Sequence, residues 1–404
     1  MAARRGRGQA PAPESDWFST LFGFAETSYE EARRWLRVTP ASAKPGEPVR
    51  IESLAEGGAS YAAGAFSTPS LAELRKLGRS IALPGRIRVF NELGDVAAKH
   101  ALPENRYATF QVASQFNCLE FVGPSVTPEQ GITQYASDRT QGPACSIACG
   151  PATAFRNYFV PVPGSGGKHG QRRDMQIDNL ADIHALIGNV PNGTLFDARG
   201  GYTLAEDRQL AALNKRLTAF EAEGRLDELR SALRIGVHAD VQVTATDWGR
   251  QRVKDSSQLV TQVFGSACSV AYSRSTMEAW QPFARLILEA SYEATLWAAL
   301  LNAQQHGGEQ GSRKVFLTCL GGGAFGNSLG WITSAMQRAI SLFEDSGLEI
   351  RIVTFAGRFD PGLIALEQAF DGRPRRVPTK KPALAPPTTP PPAAAAAAPA
   401  GAAA

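Results

Sequence analysis

Apolar residues recur along this chain in two rhythms. Short, nearly continuous apolar runs are bounded by glycine, proline or polar turns, and they alternate with longer stretches in which apolar positions return every third or fourth residue. The runs at 48–54, 62–70, 85–93, 107–114, 234–245, 259–273 and 348–356 predict strands. Helical spacing marks 15–36 as a capped helix pair and predicts further helices at 70–77, 131–159, 180–187 and 203–220, with a long one at 278–305. Strands that read as buried on both faces, alternating with helices, predict an α/β fold with helices on both faces of a mixed sheet.

One stretch combines both rhythms. In KVFLTCLGGGAFGNSLGWITSAMQRAI, residues 314–340, an apolar run enters a glycine cluster and leaves it as a helix. Gly321 to Gly326 fit G-x-G-x-x-G. Glycine permits left-handed backbone and close approach to a phosphate, and the amides at a helix start hold negative charge. A dinucleotide fingerprint belongs in the first βαβ unit, with an acid roughly 20 residues later. Here only one further strand follows, and the acid past its end, Asp360, lies well beyond that spacing. The loop is therefore expected to cradle a phosphate outside a Rossmann fold, with a plain strand–helix turn as the structural alternative. A second glycine-rich loop, VPGSGGKHGQ, occupies 162–171.

Composition changes this picture little. The 404 residues are 43% hydrophobic and 20% charged, with 39 glycines, which is ordinary for a globular chain of one large domain or two smaller ones. The net charge of +4 owes part of its excess to basic ends, MAARRGRG and GRPRRVPTKK, read as solvated tails. No run approaches the roughly 18 apolar residues of a bilayer span, and no apolar segment follows the basic N-terminus as a secretory signal requires. Membrane and nucleic-acid partners are not expected. Five cysteines, an odd number spread through apolar surroundings, argue against a disulfide framework and for a reducing compartment, cytoplasmic or nuclear. An organellar transit peptide stays open. None of the five histidines pairs at i, i+4 or with a cysteine, so no metal site is expected. The Pro/Ala tract at 373–404 and the basic segment 1–15 are expected to be disordered.

A second polar concentration spans Phe110 to Ala144. A buried strand ends in Ser114-Gln115-Phe116-Asn117, and Gly131 leads into a small-residue helix bearing Asp138, Arg139, Gln141 and Gly142. Polar side chains just past the carboxyl end of a central strand are where α/β sheets place ligands. Asn117 and Gln115 could equally satisfy loop backbone.

At this point the residues resemble the macrodomain and poly(ADP-ribose) glycohydrolase superfamily. ELGDVAAKHALPENRYATFQVASQFN (92–117) is similar to a macrodomain opening through Gly94, Asp95 and Asn117. EQGITQYASDRTQGPA (129–144) is similar to the loop and helix that follow, and LGGGAFGNSLGWITSAM (320–336) resembles the late diphosphate loop of the glycohydrolase branch. The glycohydrolases' Gly-Gly-Gly loop with Gln-Glu-Glu is absent after Asn117, and the middle of the chain is longer than usual. The resemblance implies a macrodomain-like three-layer α/β/α fold with a mixed central sheet. The expected divisions are an extension over 16–85 packed on the core, a core over 86–360, and an insertion at about 157–258.

The resemblance further implies ADP-ribose, or an ADP-ribosylated protein, as partner, with no cofactor. Asp95 would hold the adenine amine and Asn117 the distal ribose. Gly321, Gly322, Gly323, Ala324, Phe325, Gly326 and Asn327 would wrap the diphosphate, with Phe325 against the distal sugar, and Gly131 and Ile132 would form the other wall. If the chain hydrolyses an ADP-ribosyl linkage, Asn117 and Glu120 are the expected catalytic pair, Glu120 as the acid; Asp138 and Glu129 follow. Glu289 and Glu293, one turn apart on the long helix, are expected to partner a buried arginine such as Arg156 or Arg139. A non-enzymatic ADP-ribose reader and an NAD-binding oxidoreductase stay open as alternatives.

Overall fold

The computed structural model describes residues 16–371 except 42–43, 191–192, 310 and 356, so the two tails expected to be disordered lie outside the described residues. Nine strands form one sheet: β1 (Leu36–Thr39), β2 (Pro48–Ser53), β3 (Ser60–Ser67), β4 (Arg88–Leu93), β5 (Thr109–Ala113), β6 (Gly236–Gln242), β7 (Leu259–Gly265), β8 (Lys314–Leu317) and β9 (Glu349–Thr354). Their order is β1-β2-β3-β6-β7-β5-β8-β9-β4. From β1 to β7 every neighbour is antiparallel. From β7 to β4 every neighbour is parallel. The expected mixed sheet between two helical layers is present.

Alternation along the central strand explains the layering. Phe110 and Val112 of β5 pack into one apolar layer with the helices Gln141–Ala148 and Gly150–Tyr158. Thr109 and Gln111 point the other way, to the long helix Met277–Gln305, where Asn302 Nδ2 donates to Thr109 Oγ1 (3.2 Å) and Gln111 Nε2 donates to Thr295 Oγ1 (2.9 Å). Period-two alternation thus sends apolar groups to one layer and hydrogen-bonding groups to partners in the other.

The divisions expected along the chain look different in space. Residues 16–85 supply β1 to β3 of the same sheet, and the middle stretch supplies β6. The helix expected over 131–159 is a short 3₁₀ turn, Thr133–Ser137, and two α-helices that meet at Cys149, which has φ −114° and ψ 53°. Pro143 and Pro151 each lie in a first helical turn, where a missing N–H costs nothing, and each disfavours helical backbone just before it. The expected helix at 203–220 begins later, at Asp207, because Tyr202–Leu204 pairs with Asp197–Arg199 as a small hairpin.

The arginine partners of the long helix also differ from expectation. Buried Glu293 accepts from Arg75 Nε (2.6 Å) and Arg338 Nη1 (2.8 Å), and Glu289 from Arg230 Nε (2.8 Å). Arg156 and Arg139 are elsewhere: Arg139 lies over the Trp248 ring at 4.5 Å. The carboxylates need cations because burial in an apolar helix face strips their hydration, but tertiary packing chooses which cations. Glu293→Gln should therefore lower unfolding free energy by about 3 kcal/mol, read from urea denaturation. A loss below about 0.5 kcal/mol would mean that the pair behaves as an exposed one.

Candidate functional site

All parallel strands point their carboxyl ends to one edge, so the segments after β5, β7, β8, β9 and β4 meet there. The glycine loop follows β8. Its start is held by Tyr292 of the long helix, whose hydroxyl donates to Thr318 O (2.7 Å) and accepts from Leu320 N–H (2.9 Å). Gly321 (φ 67°) and Gly326 (φ 72°) adopt left-handed backbone, as glycine allows. Asn327 closes the loop: its N–H donates to Gly321 O (2.9 Å), and its buried Nδ2 donates to Cys268 O after β7 (2.8 Å).

Within that frame Gly322, Gly323 and Ala324 are exposed, and the N–H groups of Gly323, Ala324 and Phe325 make no hydrogen bond among the described residues. The helix Leu329–Ser341 begins directly behind them, its N-cap Ser328 making no side-chain cap bond. Consecutive amides before a helix start form a surface suited to an anion. Phe325 contacts Tyr202 (5.3 Å between centroids) and Tyr272 (5.7 Å).

Asp95 stands at the end of β4, where its Oδ1 accepts from Ala97 N–H (2.8 Å) and caps the helix Val96–His100. At the end of β9, between the glycine loop and β4, Phe355 is 76% exposed. Sequence reading did not single it out, because the strand-like run that contains it reads as core. Its only signal was its place as the last aromatic of the last strand.

The loop after β5 is closed to solvent. Asn117 is 1% exposed and Glu120 2%. Asn117 Nδ2 donates to Gln176 Oε1 (2.9 Å), its Oδ1 accepts from Leu119 N–H (3.0 Å), and Gln115 Oε1 accepts from Phe121 N–H (3.1 Å). The hairpin Asp197–Leu204 lies over them: Gly201 O accepts from Phe116 N–H (3.0 Å), and Tyr202 OH donates to Phe121 O (2.6 Å). A Cβ on Gly201 would press on Gln115 and Asn117. Beneath the loop, fully buried Arg156 donates to Cys118 O (3.2 Å), Ser146 Oγ (3.1 Å) and Thr153 Oγ1 (3.1 Å).

Glu120 is the most perturbed acid of the edge. Burial pushes its carboxyl up to about 8, against the opposing pull of Arg156 and a hydrogen bond from Ser114. Its Oε1 has no hydrogen-bond partner among the described residues. Its carboxyl crowds the start of the helix Gln141–Ala148 so closely that a Cβ on Gly142 would collide with it. Burial therefore favours the protonated acid, the form that donates.

Gly131 and Ile132 are brought to a different anion. Ile132 N–H and Thr133 N–H donate to the Glu26 carboxylate (3.0 and 2.7 Å), Tyr158 OH donates to it as well, and Ile132 is fully buried. Burial pushes Glu26 up, and these donors pull it down. Asp138 caps its own turn through Thr140 N–H (3.1 Å), and Glu129 accepts from Arg173 N–H (3.0 Å). No three His, Cys, Asp or Glu side chains gather as metal ligands among the described residues, and no helix among them is long and apolar enough to cross a membrane.

No protein-family model matches the chain, and no curated protein matches it. Solved structures do. The poly(ADP-ribose) glycohydrolase of Thermomonospora curvata bound to the inhibitor ADP-HPD matches at 13% identity with a TM-score of 0.38, over 91% of this chain and 94% of that one. The same enzyme in another crystal structure matches at 13% identity and 0.35, over 92% and 94%. The poly(ADP-ribose) glycohydrolase of Deinococcus radiodurans in complex with ADP-ribose matches at 11% identity and 0.39, over 75% of this chain and 92% of that one. Likeness at these identities and scores is too remote to carry a residue's role across.

The Glu120 geometry predicts a pH signature. The unfolded chain loses this proton near 4.5 and the folded chain near 8, so the folded state holds more protons between those values and stability falls as pH rises through that window. Glu120→Gln has no proton to lose. Relative to the parent protein it should gain stability between pH 4.5 and 8, by at most about 5 kcal/mol. Denaturation midpoints across that range read the effect. Parallel curves for the two proteins would mean that Glu120 is not a buried protonated acid.

Proposed function

We propose that this chain binds ADP-ribose or a related nucleoside diphosphate sugar at the carboxyl edge of its parallel strands. The observation that carries the reading is the exposed Gly321–Phe325 loop, with three successive uncommitted amides in front of a thirteen-residue helix. A diphosphate is the anion that such a row of donors can hold at more than one oxygen. Phe355 offers a flat face for a base, and Asp95 offers a carboxylate at the end of the neighbouring strand. Free ADP-ribose and an ADP-ribosyl group carried on a protein present the same diphosphate, so both are candidate partners.

The NAD-dependent reading finds less support. Asp360, the acid past the end of the strand that follows the glycine loop, caps the helix Pro361–Asp371 by accepting from Gly362 N–H (2.7 Å).

Hydrolysis is a second reading, favoured by one feature: a carboxylic acid kept protonated at neutral pH behind the loop. In that reaction the glycosidic bond breaks, its electron pair goes to the leaving group, and Glu120 supplies the proton. Water then adds to the anomeric carbon and returns a proton to the carboxylate. Because the hairpin Asp197–Leu204 covers Asn117 and Glu120, turnover in this reading needs the hairpin to lift; binding to the glycine loop does not.

Calorimetric titration of the purified protein with ADP-ribose and with NAD tests the reading. ADP-ribose should bind with a micromolar Kd, about −8 kcal/mol, and NAD at least about tenfold more weakly. Gly323→Glu should abolish ADP-ribose binding without unfolding the protein: a Cβ at Gly323 meets nothing within 4 Å, so the added carboxylate acts by charge alone. Absence of binding, or binding unchanged by Gly323→Glu, would sink the proposal. A hydrolase would lose turnover in Glu120→Gln and keep binding, whereas a reader shows no turnover in either form.

A further inference from the structure

We infer that a second ligand site lies between the helix Tyr29–Trp35 and the loop 162–171, taking an organic monophosphate of nucleotide size. Two cavities meet there, of about 300 and 670 Å³, and they share Arg33 and His169 in their linings. None of their lining residues belongs to the loops after the parallel strands.

Arg33 is the central group. It is partly buried, its Nη1 donates to two main-chain carbonyls, those of Tyr158 and His169, and no carboxylate pairs with it among the described residues. Its guanidinium also lies over the Phe159 ring at 5.2 Å. A half-buried cation satisfied by neutral partners, two carbonyls and the Tyr29 hydroxyl, has spare capacity for an anion, and guanidinium geometry matches phosphate. Lys168, exposed on the loop 162–171, adds a second cation that is in no ion pair among the described residues. The larger cavity also holds Arg172 and Glu30, which neutralise one another (2.6 Å), and Asp174. Arg33 and Lys168 therefore outnumber the one remaining acid.

The loop itself favours close approach. Gly164, Gly166 and Gly167 adopt left-handed backbone, and a Cβ on any of them would meet nothing within 4 Å, so main chain is open on that side. The smaller cavity has the opposite character. Val38, Pro40, Phe155 and Phe159 give it apolar and aromatic walls. Its volume suits a ring system, and the larger basin suits a sugar and its phosphate. An apolar slot joined through an arginine to a cationic basin selects a molecule with both parts over either part alone.

The probes are adenosine 5′-monophosphate, adenosine and inorganic phosphate, titrated calorimetrically into the full chain carrying Gly323→Glu, which removes the anion loop at the sheet edge from the measurement. The monophosphate should bind at least about tenfold more tightly than adenosine or phosphate. Lys168→Glu should weaken it at least about tenfold with an unchanged melting temperature, since Lys168 is exposed. Arg33→Gln should abolish it; because Arg33 also ties two carbonyls, Lys168→Glu is the decisive variant. No binding in the Gly323→Glu protein, binding indifferent to Lys168→Glu, or phosphate binding as tightly as the nucleotide would each overturn the site.

Discussion

The register of β5 decides where every loop of the candidate site emerges. Thr109 and Gln111 are tied to the long helix, and Phe110 stacks on Phe316 at 4.4 Å and on His100 at 3.7 Å in the opposite layer. A one-residue slip would exchange the faces, placing polar groups in the apolar layer and phenylalanine against Asn302. The tie continues past the strand pairing. Ala113 N–H donates to Gln141 Oε1 (2.8 Å), and Gln141 Nε2 donates to Gln111 O (2.8 Å), so one side-chain amide stands in for a neighbouring strand. That clamp holds the start of the helix Gln141–Ala148 to the end of β5, which in turn crowds Gly142 against Glu120. The burial that pushes the Glu120 carboxyl up thus depends on strand register two steps removed.

The edge consequently divides into an open half and a closed half. The glycine loop, Asp95 and Phe355 face outward, while Asn117 and Glu120 lie under the hairpin Asp197–Leu204. The two halves meet at aromatic contacts, Tyr202 packing on Phe325 and on Tyr272 (5.0 Å). Phe325 belongs to the proposed cradle and Tyr202 to the cover. In the proposed reading, a ligand that reorders Phe325 would act directly on the contact that holds the cover down.

Much of the sheet was legible because its strands are continuous apolar runs bounded by turn residues, and the glycine loop was legible because strand, glycines and helix follow one another in the chain. What escaped had weak local signals or none. β1 is a four-residue edge strand, Leu36–Thr39, joined directly to a helix, so no turn marks it. The hairpin at Gly200-Gly201 has arms of three residues each, too short to show alternation, and its second arm runs into a helix that hid it. Glu289 and Glu293 advertised a need for arginine, but Arg75, Arg230 and Arg338 are distant in sequence, and periodicity is blind to such pairs. For Asn117 the residue type marked a polar strand end and its bond from Leu119 N–H is the local one expected, yet its bond to Gln176 depends on a covering segment far along the chain.

Glu26 shows most clearly what a linear reading misses, and it also narrows where a ligand's phosphates can rest. The segment after Gly131 offers amides to an anion much as the glycine loop does, and the chain fills that place itself: Glu26, contributed from over a hundred residues away, takes the N–H groups of Ile132 and Thr133. Trp17 Nε1 reinforces the same contact by donating to Thr133 O (3.1 Å). An external phosphate at those amides would displace a partly buried carboxylate and leave Tyr158 without its acceptor, a cost of several kcal/mol. The N–H groups of Gly323, Ala324 and Phe325 hold no such partner among the described residues. The proposed diphosphate is therefore held from the β8 side, by main-chain donors that carry no charge of their own, and a single added carboxylate at Gly323 is enough to turn that surface against it.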